Sequence, residues 1–315
     1  MVGGGQRRQY FAAPDPSFGY GEVSRIAGLL KQGSYGAVKD FYQSLPSDKR
    51  SALVDGISLT DAHAKVLAQW EAKDPHCPVG NAFNGAHWTY TAWVARTGKA
   101  GGEVTDKQAQ TFYAHLDKAF GFLNASIENG GTDAEPYARM IRVLMGQGEP
   151  LDTLYSYYNE MINHDPEHLW GHINLLDATS AKWLGSEEEM FDFVNETVTS
   201  SSPGSLLHML VPLAHIEVWC DKAYDTPGYN HFQGNDVRKA VVAAYNNSVL
   251  SPQFQASQLR AIVHNHFCFA FRYMGETRMA QTERQAFGNY ISLLPWAYLG
   301  IYDTKQVDAL LARPL

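Results

Sequence analysis

The chain of 315 residues is 45% hydrophobic and 18% charged, which is enough apolar material for a large core and too little charge for a disordered chain. Its 33 acidic and 25 basic residues give a net charge of -8, and no basic stripe interrupts that balance, so nucleic acid is not expected as a partner. Cys77, Cys220 and Cys268 are far apart, odd in number and without a CxxC pair, which argues against a disulfide framework and for a reducing, cytoplasmic address.

The opening "MVGGGQRRQYFAAPDP" lacks the apolar run of a signal peptide. No stretch reaches the roughly 18 apolar residues of a membrane helix, so no membrane partner is expected. Residues 1–20 read as a flexible N-terminal tail, and 21–315 as a single α-helical repeat domain. In "EVSRIAGLLKQGSYGAVKDFYQSL" the spacing places Val23, Ile26, Ala27 and Leu30 on one helical face. The pattern breaks at Gly33, and a second helix follows with Tyr35, Val38, Phe41, Tyr42 and Leu45.

A long hydrophobic helix, "NAFNGAHWTYTAWVART", precedes a Gly/Lys loop, "GKAGGE". Thr105 and Asp106 mark the start of the next helix, through "FYAHLDKAFGFLNASI". The helix–glycine–helix unit then returns with turns near Gly146 and Gly148, at Gly185 and at Gly275. Pro150 and Pro166 suit first turns, and Ser186 with Glu189 fits a capping box. Pro212 interrupts "LLHMLVPLAHIEVW" and predicts a kink beside the carbonyl of His208. Strict alternation is absent, so strands are not expected; about fourteen helices at a period of roughly 40 residues suggest a helical-repeat array.

"LLKQGSYGAVKDFYQSL" resembles the turn and second helix of a tetratricopeptide repeat, with Gly33 at the turn and Tyr35 just inside. More broadly, "AWVARTG" (Ala92–Gly98), "KWLGSEEEMFDFV" (Lys182–Val194) and "PLAHIEVW" (Pro212–Trp219) are similar to a bacterial family of TPR-like proteins catalogued as a domain of unknown function. The resemblance spans roughly Ala27 to Tyr298. It implies an all-α fold, a right-handed superhelix of antiparallel helix pairs, and it transfers no catalytic residue.

Twelve histidines are the chain's most informative side chains. His168 and His172 lie about 40° apart on one helix, with Thr179, and His208 and His215 about 20° apart on another, with Trp219 on the same stripe. His264 shares its stripe with Ser257, Arg260 and Cys268, and His87 shares one with Asn84 and Thr91; His266 points elsewhere and packs. If the leading helices of successive pairs line one surface, His87, His168, His172, His208, His215, Trp219, Arg260 and His264 face a common concave groove. A His-xxx-His pair is a two-ligand platform, so His168, His172, His208 and His215 are the candidate ligands of a divalent metal, although HExxH and Glu-x-x-His companions are absent. The competing reading is that each histidine is hydrogen-bonded separately between packed helices. Cys268 sits in "FCFAF", an apolar setting that makes a thiol inert. The expected function is a binding protein holding a peptide, a protein partner or a small metabolite in the groove; the alternative is a metalloenzyme or small-molecule enzyme using the same histidines.

Overall fold

Apolar residues at helical spacing, with glycines and caps between the runs, leave one repeating solution for the backbone. In a computed structural model of the protein, which describes residues 13–98, 103–131, 133–226, 228–254 and 256–314, that solution is taken throughout: there are fifteen α-helices and no strand among the described residues. No helix of these residues is long and apolar enough to cross a membrane. Periodicity alone draws no boundary within 21–315; packing groups the described residues into two compact units, divided between Ala178 and Thr179.

The N-terminal unit holds α1 (Glu22–Lys31), α2 (Tyr35–Ser44), α3 (Ser47–Ser58), α4 (Ala64–Lys73), α5 (Pro78–Arg96), α6 (Asp106–Glu128), α7 (Ala134–Gln147), α8 (Leu151–His164) and α9 (Leu169–Thr179). The tail expected over 1–20 lies, over 1–12, outside the described residues. Its remainder is a turn in which the Asp15 carboxylate accepts from the backbone of Ser17 and Gly19, and Phe18 is buried. The apolar faces read for α1 and α2 converge as Ile26, Leu30, Val38 and Tyr42 on Leu53, Ile57, Trp70 and Phe83, and Tyr35 stacks on Trp70 at 5.4 Å.

The loop read in "GKAGGE" lies, over 99–102, outside the described residues. Beyond it, Thr105 and Gln108 form a reciprocal capping box at the start of α6. α5 and α6 run antiparallel, since Trp93 meets Phe112 at one end and the Ser126 hydroxyl reaches the Pro78 carbonyl at the other. α7 runs through Gly146 and turns at Gly148, and α8 returns so that Met161 packs on Ala138. Pro150 is the cap before α8 rather than its first helical residue.

The C-terminal unit holds α10 (Glu187–Ser200), α11 (Leu210–Asp225), α12 (Asn235–Asn247), α13 (Arg260–Met274), α14 (Thr277–Phe287) and α15 (Thr304–Leu311). Ser186 caps α10 by accepting from the Glu189 N–H at 3.1 Å. Met190, Phe193 and Val194 are buried, as are Leu169 and Leu176 of the preceding unit; Ile173 is half-buried. Gly275 ends α13 in the left-handed region, and α14 returns along it: Cys268 faces the Ala280 carbonyl and His264 faces Glu283.

Pro212 does not kink a helix. The apolar run "LLHMLVPLAHIEVW" is split into a 3-10 turn, Leu206–Met209, and α11, which begins at Leu210. Pro212 therefore falls in the first turn, where its missing N–H leaves nothing unpaired.

Gly204 is where backbone meets backbone. Its φ is +86°, and a Cβ added there would lie 2.4 Å from the Gln253 carbonyl carbon. Neither strain is relieved by a side-chain rotation. Gly204→Ala is expected to lower stability by about 2 kcal/mol or more, from the positive φ and the overpacking together; urea unfolding measures it, and a loss below about 0.5 kcal/mol would show the contact to be soft.

Candidate functional site

The histidines read from the sequence are mostly occupied, each by its own partner. In the N-terminal unit the His87 ring lies 2.9 Å from the Ser58 carbonyl through Nδ1. His172 Nδ1 contacts the His168 carbonyl at 3.0 Å, its ring meets Tyr158 edge-on, and burial lowers its pKa to about 4. His168 precedes α9 and belongs to a buried ionic cluster. Its Nδ1 accepts from the Gly171 N–H at 3.3 Å, which leaves Nε2 to carry the proton, 3.0 Å from Glu135 Oε2.

The same carboxylate oxygen accepts from the Ser51 hydroxyl at 2.5 Å. Glu135 Oε1 takes the Arg139 Nε–H at 2.6 Å, and Arg139 also reaches Asp55 at 2.6 Å. Serine, histidine and carboxylate do not form a relay here, because the first two donate to one oxygen of the third. All three are buried. Burial opposes the Glu135 charge, but Arg139 and the His168 hydrogen bond outweigh it and hold the carboxyl well below its usual range. Asp55 is pushed up to about 6, by burial first.

In the C-terminal unit His208 is buried in the 3-10 turn, not in an α-helix, with Nε2 3.2 Å from the Ser202 carbonyl. His266 packs as expected, 2.8 Å from the Ile262 carbonyl, with its pKa lowered to about 4 by burial. His264 Nδ1 lies 2.7 Å from Glu283, whose other oxygen accepts from Tyr245 at 2.5 Å. Burial raises the Cys268 thiol far above the thiolate range, in keeping with an inert side chain. Arg260, the first residue of α13, is exposed. Glu217 leaves the histidine stripe of α11 and joins Lys182 and Tyr298, both at 2.6 Å.

His215 and Trp219 remain, one turn apart on α11, and around them the structure builds a site. The loop after α11, "YDTPGYNHFQGN", is long and rich in turn residues; its Pro227 lies outside the described residues. α13 ends at Met274, and a helix end leaves carbonyls without partners. Asn230 and Gln233 donate to the Tyr273 carbonyl at 3.0 and 2.8 Å, so the loop caps α13 and is pinned by it. The Asn230 side chain also accepts from the Phe232 N–H at 3.2 Å and forms the short turn that contains His231.

Pinned there, His231 Nε2 lies 3.0 Å from His215 Nδ1, and the Tyr229 hydroxyl lies 3.1 Å from His231 Nδ1. Three polar rings thus stand in a row, all only half-buried. Phe191 covers the far side of His215 at 5.0 Å between centroids. Trp219 packs on Tyr273 and Phe269 at 4.8 and 5.4 Å, and Phe232 lies 6.3 Å from both. Burial lowers the His215 pKa to about 4, with His231 adding to the effect; burial and then Lys222 lower that of His231. Both rings are therefore neutral at pH 7. Among the described residues the buried indole N–H of Trp219 has no hydrogen-bond partner.

Sequence reading found two members of this site and missed Tyr229, His231, Phe232 and Tyr273. The usable signal was an aromatic- and amide-rich loop, "GYNHFQ", directly following a His-xxx-Trp helix. Among the described residues no group of three or more His, Cys, Asp or Glu side chains is arranged to hold a metal ion. No protein-family model matches the chain, and neither a curated protein nor a solved structure matches it.

Proposed function

We propose that the protein is a cytoplasmic binding protein of the TPR-like superhelical kind, and that its ligand is a small planar molecule carrying hydrogen-bond acceptors, seated against His215, Trp219, Tyr229 and His231. The observation that carries the reading is the row of half-buried polar rings formed by His215, His231 and Tyr229, one turn along α11 from the aromatic cluster of Trp219, Phe269 and Tyr273. Few, convergent polar groups in an aromatic surround are the usual make-up of a small-molecule site. Neutral imidazoles favour amides and other uncharged acceptors over strong anions.

The test is titration with benzamide and benzoate in EDTA, followed by tryptophan fluorescence and thermal melting. A saturable change is expected with benzamide, weaker with benzoate, and lost in Trp219→Phe and His231→Ala. No response to either compound, or a response that persists in both variants, would remove the reading.

A further inference from the structure

We infer that His264 is a phosphoryl-acceptor site, whose Nε2 takes a phosphoryl group from a small donor with a good leaving group, such as a phosphoramidate or an acyl phosphate. Three helices of the C-terminal unit converge on Glu283 of α14. It is 1% exposed, and its two oxygens meet Tyr245 of α12 at 2.5 Å and His264 of α13 at 2.7 Å. An ionised carboxylate only accepts hydrogen bonds, so His264 carries its proton on Nδ1 and Nε2 presents a lone pair. The two nitrogens lie on opposite sides of the ring, and this lone pair points away from Glu283.

Among the described residues Nε2 has no hydrogen-bond partner, and it is not sealed off: the side chain is 8% exposed. His168 is also backed by a carboxylate, but its second nitrogen is taken by the Gly171 N–H. Cys268, one turn beyond His264, gives its thiol hydrogen to the Ala280 carbonyl. Arg260 stands one turn before His264 on the same face, exposed, as the first residue of α13. Helical side chains lean toward the N-terminus, so the ring leans toward the end where macrodipole and guanidinium both favour an anion.

The step is a displacement at phosphorus. The Nε2–P bond forms, the bond to the leaving group breaks, and its electron pair departs with that group, as ammonia in the case of phosphoramidate. Nδ1 keeps its proton on Glu283. The ring becomes cationic, and the buried carboxylate balances that charge.

None of the residues of the small-molecule reading takes part, so either can fail alone. Full-length protein is treated with potassium phosphoramidate at neutral pH and followed by phosphorus NMR and by peptide mapping under alkaline conditions. Expected is one acid-labile phosphohistidine, at His264, formed before any at the exposed His76 and His164 and absent from His264→Gln. Arg260→Gln should raise the half-saturating phosphoramidate concentration by about tenfold, the scale of one charge-assisted hydrogen bond, and leave the maximal rate unchanged. Glu283→Gln should slow the maximal rate, with nitrogen NMR showing the His264 proton no longer confined to Nδ1; circular dichroism confirms that each variant is folded. No phosphohistidine at His264, label reaching His76 and His164 as fast, or unchanged kinetics in either Arg260→Gln or Glu283→Gln would overturn the site.

Discussion

Glu135→Ala is expected to cost about 3–5 kcal/mol, the scale for removing one partner from a buried ion pair. Glu135 is 1% exposed, and its two oxygens accept from Ser51, His168 and Arg139. Truncation strands three donors at once, one of them charged. Arg139 keeps Asp55, which limits the loss. Glu135→Gln preserves volume and one acceptor oxygen, so a smaller loss is expected, and the difference between the two variants isolates the charge. Urea denaturation read by near-UV signals of the N-terminal unit measures both. If Glu135→Ala costs less than about 1 kcal/mol, the cluster is held by packing around it rather than by its hydrogen bonds.

Acid should destabilise the protein well before carboxylates are generally protonated. His172 and His266 are each 2% exposed, with pKa values lowered to about 4 by burial. Unfolded, each titrates near 6.5. Between those two values the unfolded chain binds protons that the folded chain does not, so the unfolding free energy falls as the pH falls from about 6.5 to about 4. A shift of this size corresponds to roughly 3 kcal/mol per histidine once the window is crossed. His215, lowered to about 4 as well, acts in the same direction.

Asp55 opposes them. Its carboxyl is raised to about 6, so the folded chain takes up that proton first and is favoured as the pH falls through the same range. His168, also raised, likewise gives stability that is present at low pH and lost as the pH rises. Three histidines outweigh these two groups. Unfolding at pH 7 and pH 4.5 is expected to differ by several kcal/mol, and His172→Gln and His266→Gln should each flatten the acid limb. An acid limb of the same slope in both variants would place the titration elsewhere.

What could be read from the sequence was what is decided locally. The glycines at 148 and 275, the Ser186 cap and the Thr105 start each act within a few residues, and each appears where the pattern placed it. Pro212 shows the limit of that reading. Between Ser205 and Glu217 only His208 and His215 break the apolar run, and neither falls at the junction near Leu210, so the division into a 3-10 turn and a helix left no trace in hydrophobicity. The only local sign was Ser205, whose hydroxyl accepts from the Leu207 N–H.

The histidines show the other limit. Their type and helix face were legible, but their partners were not, because Glu135 is 33 residues from His168, and Ser58 is 29 residues from His87. His231 went unnoticed for the opposite reason. It is close to His215 in sequence but sits in a loop, where helical spacing has nothing to say.

Nearly every residue of α13 is out of contact with solvent, and the loop bearing His231 is fastened by two amide side chains to a single carbonyl in that helix's last turn, that of Tyr273. The approach of one imidazole to the other is thus settled when the chain folds, not when something binds. An incoming molecule meets rings already held in place and gives up little of its affinity to arranging them.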